Sequence, residues 1–189
     1  MKQCLFLVMV LPAALAQAPA DLDKQCAEMR ARAREEGGAF RESGGKPGSP
    51  GDPALRWAAA FWKFREAHSG TTAATTATGL ALAWLRHAYR DREVLARAES
   101  LPAGNKVWTT AVAGVRDAAR KAGQFDRFSR LAKNFLDRSN DTATRAAVYA
   151  AIGQSWLDHG QPERAREAFE SAIRECPRSA AAKTAEKKL

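Results

Sequence analysis

The chain has 189 residues, of which 46% are hydrophobic and 27% charged, with only eight prolines; this balance excludes a wholly disordered chain and fits one folded domain or a short repeat array. Its formal net charge of +9 directs attention to nucleic acid, anionic surfaces or acidic partners, set against the plainer reading of arginines on the solvent faces of alanine-rich helices.

The first residues have the make-up of an export signal. Met1-Lys2-Gln3 supplies a positive start, Cys4 to Leu11 an apolar run, and Ala13 to Ala16 small residues at the exit. The run is too short for the roughly 20 residues that cross a bilayer. Residues 1–18 are therefore read as a cleavable signal, cut after Ala16 or Ala18, and the mature protein as exported, periplasmic or secreted, with no membrane span. Export turns the reading away from nucleic acid. Cys4 leaves with the signal, and whether Cys26 and Cys176 pair stays open, as does the oligomeric state.

Residues 19–36 read as a short charged helical segment with a thin stripe of Leu22, Cys26, Met29 and Ala33, loosely attached. Residues 37–53 read as a flexible linker because glycine and proline dominate. Gly44-Gly45-Lys46 is not a phosphate loop, since Pro47 stands where a Ser or Thr must open a helix. From residue 54 to 189 the apolar spacing is helical throughout. One helix carries Leu55, Ala58, Phe61 and Trp62. A second carries Leu80, Ala81, Trp84 and Leu85. Asp91 is expected to cap a third, which holds Val94, Leu95 and Ala98. Trp108, Val112 and Val115 mark a fourth, and Phe128, Leu131 and Phe135 a fifth, with Gly123 between them. Thr142 opens the next. The expected fold is all-α, built from antiparallel helix hairpins.

Tyr149, Ile152, Gly153 and Trp156, then Gly160, Ala165, Phe169, Ala172 and Pro177, resemble one tetratricopeptide repeat, a helix pair with a period of about 34 residues. The two aromatic positions are exchanged, Ile152 replaces leucine, and the match covers about residues 146–179. Each position has a physical reason. Gly153 and Ala165 let the two helices approach, and Ala172 lets the second helix approach the next unit. Tyr149, Trp156 and Phe169 fill space. Gly160 suits a left-handed turn, Pro162 a first helical turn, and Pro177 ends the helix. One hairpin cannot bury both faces, so neighbours are expected at Gly104–Arg138 and, more weakly, Thr71–Leu101. The resemblance implies a short right-handed superhelical stack whose concave side binds a protein or peptide, with Gln154, Leu157 and Asp158 facing the groove in the last unit. Residues 61–88 are also similar to helical regions that precede thioredoxin-like domains in exported thiol–disulfide reductases, which would imply a scaffold role.

No catalytic, cofactor or metal site is read. His68, His87 and His159 each fall near a helix C-terminus. Gly153-Gln154-Ser155 lacks the glycine and the strand of a nucleophile elbow. The five tryptophans lie in apolar stripes and are assigned to the core. Arg164, Arg166, Arg174, Arg178, Lys183, Lys187 and Lys188 crowd the C-terminal end as a solvated face or an anion-binding surface. The leading expectation is a non-enzymatic exported binding protein. A scaffold for a thioredoxin-like system and a basic binder of polyanions are the alternatives.

Overall fold

The computed structural model describes residues 18–102 and 106–189. The expected signal and the start of the hairpin at Gly104 lie outside them. The described residues form nine α-helices and no strand: α1 Pro19–Glu42, α2 Pro53–Ala67, α3 Thr72–His87, α4 Asp91–Glu99, α5 Trp108–Lys121, α6 Phe125–Arg138, α7 Thr142–Asp158, α8 Pro162–Glu175 and α9 Ala180–Glu186. The described residues are all-α, as their apolar spacing requires.

Local chemistry sets most boundaries. Asp52 accepts the Ala54 N–H at 2.8 Å ahead of Pro53, and Thr71 accepts the Ala74 N–H at 3.1 Å. Gly123 and Gly160 turn the chain with φ of +66° and +68°. Pro162 begins α8, where its missing N–H costs nothing.

Three places depart from expectation. α1 does not stop at Glu36 but runs through Gly37-Gly38 to Glu42. The glycine at 37 is a packing device: a Cβ there would lie 2.9 Å from the Trp84 ring of α3. Nor is α1 loosely attached, since Leu22, Cys26 and Ala33 are buried in the main core. Asp91 is not the cap of α4. Tyr89 takes a left-handed conformation at φ 56°, which makes the turn so short that Arg90 holds the cap position and Asp91 becomes the first helical residue. One carboxylate oxygen of Asp91 is buried without a partner among the described residues.

The helices touch in a one-dimensional order. Every contact is between elements adjacent in the chain or one element apart. The odd-numbered helices run from neighbour to neighbour: α1 meets α3, α3 meets α5, α5 meets α7 and α7 meets α9. Side-chain contacts make the first four of them parallel. Gly37 abuts Trp84 near the C-terminal ends of α1 and α3. Gly79 faces Val107 and Gly114 faces Arg86 along α3 and α5. Thr109 bonds Thr144 at 2.6 Å, and further along Arg120 approaches Asp158 at 3.9 Å, so α5 and α7 share a direction. One apolar core extends from Leu22 to Ala151, and a second gathers Ala165, Phe169, Ala172 and Ala185 around α8.

Candidate binding face

The hairpin of α7 and α8 is closed by the residues that carry the repeat pattern. Gly153 sits against Phe169, where a Cβ would lie 2.6 Å from the ring. Ala165, Phe169 and Ala172 are buried, with Tyr149, Trp156 and Leu157 half-buried against them. Phe125 stacks edge-on against Trp156 at 4.8 Å and so ties α6 to this hairpin. Ile152 packs instead against the main core. Pro177 follows the C-cap Cys176.

Of the three residues expected to face a groove, two are brought together. Gln154 donates to Asp158 at 2.9 Å, and Asp158 faces Arg120 of α5. Leu157 belongs to the cluster around α8. The neighbouring stretch of the same face is also internally paired. Arg86 of α3 reaches Asp117 of α5 at 3.3 Å, and Arg116 shares that carboxylate. From α3 to α7 the face is a row of arginines, each facing a carboxylate from its own or the adjacent helix.

The α1 end is different. Between α1, α3 and the 43–52 turn lies a cavity of about 530 Å³. Arg30, Arg34 and Arg41 line it from α1, with Phe40, Leu80 and Trp84 among its apolar walls, and His87 also lines it. A second cavity, also about 530 Å³, continues toward the N-terminal end of the two helices and shares Arg30, Arg34 and Leu80 with the first. Volumes of this order suit a ligand or an anchoring side chain. The acidic groups nearby are committed or remote. Asp52 accepts N–H groups from Gly48 and Ala54, at 2.6 and 2.8 Å. Glu36 takes Arg56 and the Trp57 indole N–H of α2. Asp23 lines only the far cavity.

Sequence reasoning missed this end because it ended α1 at Glu36 and assigned Trp84 to the core. The signal was present: Asp23, Ala27, Arg30, Arg34, Gly37 and Arg41 recur every three or four residues, which places them on one helical face.

The remaining polar groups serve the fold. His68 is the C-cap of α2 and lies against Phe64 at 4.6 Å. His159, the C-cap of α7, places Nδ1 2.8 Å from the Ser155 carbonyl. Arg127 grips Glu99 through two bonds, at 2.5 and 2.6 Å, joining α6 to α4; the hydrogen bond from Arg127 holds the Glu99 carboxyl below its ordinary range. Cys26 and Cys176 are both free thiols, and burial pushes the Cys26 thiol up, with the Asp23 charge adding to this and Arg30 opposing it. Among the described residues no three His, Cys, Asp or Glu side chains gather as metal ligands would. No described helix is long and apolar enough to cross a membrane. The basic residues of the C-terminal end, from Arg164 to Lys188, are exposed and spread over α8, α9 and the chain beyond. No family model, no curated protein and no solved structure matches the chain.

Proposed function

We propose that the chain is an exported, non-catalytic helical-repeat protein that binds a protein or peptide along the face of its parallel helices α1, α3, α5 and α7. In this reading the helices form a short right-handed superhelical stack of tetratricopeptide type, with α7–α8 as its clearest unit and α9 covering its end. The observation that carries it is the contact order. Helices touch no further than one element apart and α1, α3, α5 and α7 lie parallel, an order that supports a side-chain surface running along them. Gln154 and Asp158 belong to that surface near its last unit. The apolar start of the sequence supports export.

A photo-crosslinking amino acid in place of Arg30, Gln154 or Asp158 tests the reading in cells that express the full chain. Defined protein adducts are expected from these positions and not from Asn134 on α6. Adducts from position 134 alone, or from none of them, overturn it. N-terminal sequencing of the mature protein is expected to begin at Gln17 or Pro19; an intact Met1 start refutes export by a cleaved signal.

A further inference from the structure

We infer that the groove between α1 and α3 takes an acidic peptide segment carrying an apolar side chain, with Arg30 and Arg34 holding its carboxylates. The inference rests on the binding role proposed above and adds to it the place and the chemistry.

Three observations meet at this groove. The first is uncompensated charge. Arg30, Arg34 and Arg41 make no ion pair and no side-chain hydrogen bond among the described residues. Residues 1–17 and 103–105 contain no aspartate or glutamate. On α3 and α5 of the same face, Arg86, Arg116 and Arg120 each meet a carboxylate, so the α1 end is where an outside anion is in demand. Guanidinium groups that converge on a concave surface match carboxylates, because their planar forks bond two oxygens at once.

The second is spacing. Arg30 and Arg34 are one helical turn apart, about 6 Å along the axis. Alternate side chains of an extended peptide repeat at about 7 Å. Acidic residues at alternate positions of one strand therefore meet the two arginines in turn.

The third is the wall opposite. Leu80, Ala83 and the half-buried Trp84 of α3, with Phe40 of α1, are apolar or aromatic. The cavity beside Arg41 is lined by no serine, threonine, asparagine or glutamine. A leucine or phenylalanine side chain would be well accommodated against this wall. An apolar anchor for such a wall is what a peptide offers and an acidic polysaccharide lacks, although Thr72 and Thr76 line the neighbouring cavity.

The test is fluorescence anisotropy with the full chain and labelled decapeptides. One probe has glutamate at alternate positions and a central leucine. The second replaces every glutamate by glutamine. An oligouronate and an inorganic polyphosphate compete. The acidic peptide is expected to bind, to weaken as salt rises, and to bind about ten-fold better than its glutamine counterpart. The double variant Arg30→Gln/Arg34→Gln is expected to lose about ten-fold, while Arg32→Gln, on the same helix but outside both cavities, binds as the parent does. Arg30 and Arg34 are exposed, so an unchanged melting curve verifies that the double variant folds. Equal binding of both peptides, or full binding by the double variant, overturns the inference while leaving a peptide-binding role intact. Binding of oligouronate or polyphosphate without the peptide overturns it in favour of a polyanion. No binding by any probe overturns it too, and the crosslinking adducts then decide separately whether the protein-binding role stands.

Discussion

Replacing Arg145 by methionine removes a polar joint that ties α7 to the end of α6 and to α8. Its guanidinium donates to the Leu136 carbonyl at 2.5 Å, to the Ser139 carbonyl at 3.2 Å and to Glu175 at 2.7 Å. It thereby satisfies carbonyls at the end of α6 that have no helical partner, and it holds the C-terminus of α8 against the start of α7. Each hydrogen bond to a charged group contributes about 1.5–3 kcal/mol when well shielded. Both partners of the ion pair are 22% exposed, so solvent screens part of this. The methionine keeps some of the packing of the aliphatic stem. A net loss of about 2–3 kcal/mol follows. For a chain of this length that lowers Tm by about 5–10 °C, read by circular dichroism at 222 nm. The neighbour-only contacts add a spatial expectation: hydrogen exchange should accelerate in α7, α8 and α9 and stay unchanged in α1 to α3. The pH dependence has a definite sign. The hydrogen bond from Arg145, and secondarily its charge, hold Glu175 below the ordinary carboxylate range despite some burial. A carboxylate depressed in the folded state contributes stability that is present above its unfolded pKa and lost as pH falls through the folded value. The gap between the parent and Arg145→Met should be full at pH 7 and narrow as pH falls from about 4.3 through the lower folded value of Glu175, leaving the part carried by the Leu136 and Ser139 carbonyls. A Tm change under 1 °C, or a gap that widens in acid, refutes the reasoning.

Three further outcomes are expected. Gly153→Ala forces a Cβ into the Phe169 ring and should cost about 2 kcal/mol, with Phe169→Leu restoring part of the loss in a denaturant double-mutant cycle; strict additivity would disprove the clash. Tyr89→Gly relieves a left-handed backbone at an exposed residue, about 1–2 kcal/mol, against about 0.5–1 kcal/mol of added chain entropy and the weak Lys121 contact with the ring at 5.9 Å, so a small gain is expected and a clearly lowered Tm contradicts it. Cys26 is 1% exposed with its thiol pushed up by burial, so a thiol reagent at neutral pH should label it only after unfolding, and prompt labelling in the folded protein would speak against the buried assignment.

Legibility in the sequence followed the range of the interaction. Gly160, Pro162 and Gly153 could be assigned from residue chemistry because a left-handed turn, a helix start and a close helix contact depend on the residue itself. The pattern of Leu22, Cys26, Met29 and Ala33 correctly named the inward face of α1. What could not be read was that this face suffices to hold α1, because the partners that cover it come from α2 and α3. Gly37-Gly38 misled for the same reason. Two adjacent glycines read as a break by local propensity, yet the first is there to admit Trp84 from a helix far along the chain. The cap of α4 failed at shorter range: Asp91 is a good capping residue, but the backbone of Tyr89 decided the turn. At the candidate site, the i, i+4 pair Gln154–Asp158 was within reach of sequence, and the convergence of Arg41 with Trp84 was not.

The same division explains why the most recognisable stretch is above all a packing device. Residues 146–179 are recognisable because close helix packing admits few residue types, as Gly153 against Phe169 illustrates. A position under that constraint has no freedom left to contact a ligand. The residues of α1 on the groove side have the opposite status. Asp23, Ala27, Arg30 and Arg34 are exposed, so their replacement is expected to leave the fold intact, and their identity is free to answer to a partner. Farther along, Asp117 and Asp158 consume the charge of Arg86 and Arg120 within the protein, which commits those arginines to the alignment of neighbouring helices. Specificity is therefore expected to follow the α1–α3 groove, and stability the α7–α8 hairpin. An exchange of Arg30 and Arg34 for glutamine should change what is bound without moving Tm, and an exchange at Gly153 should do the reverse.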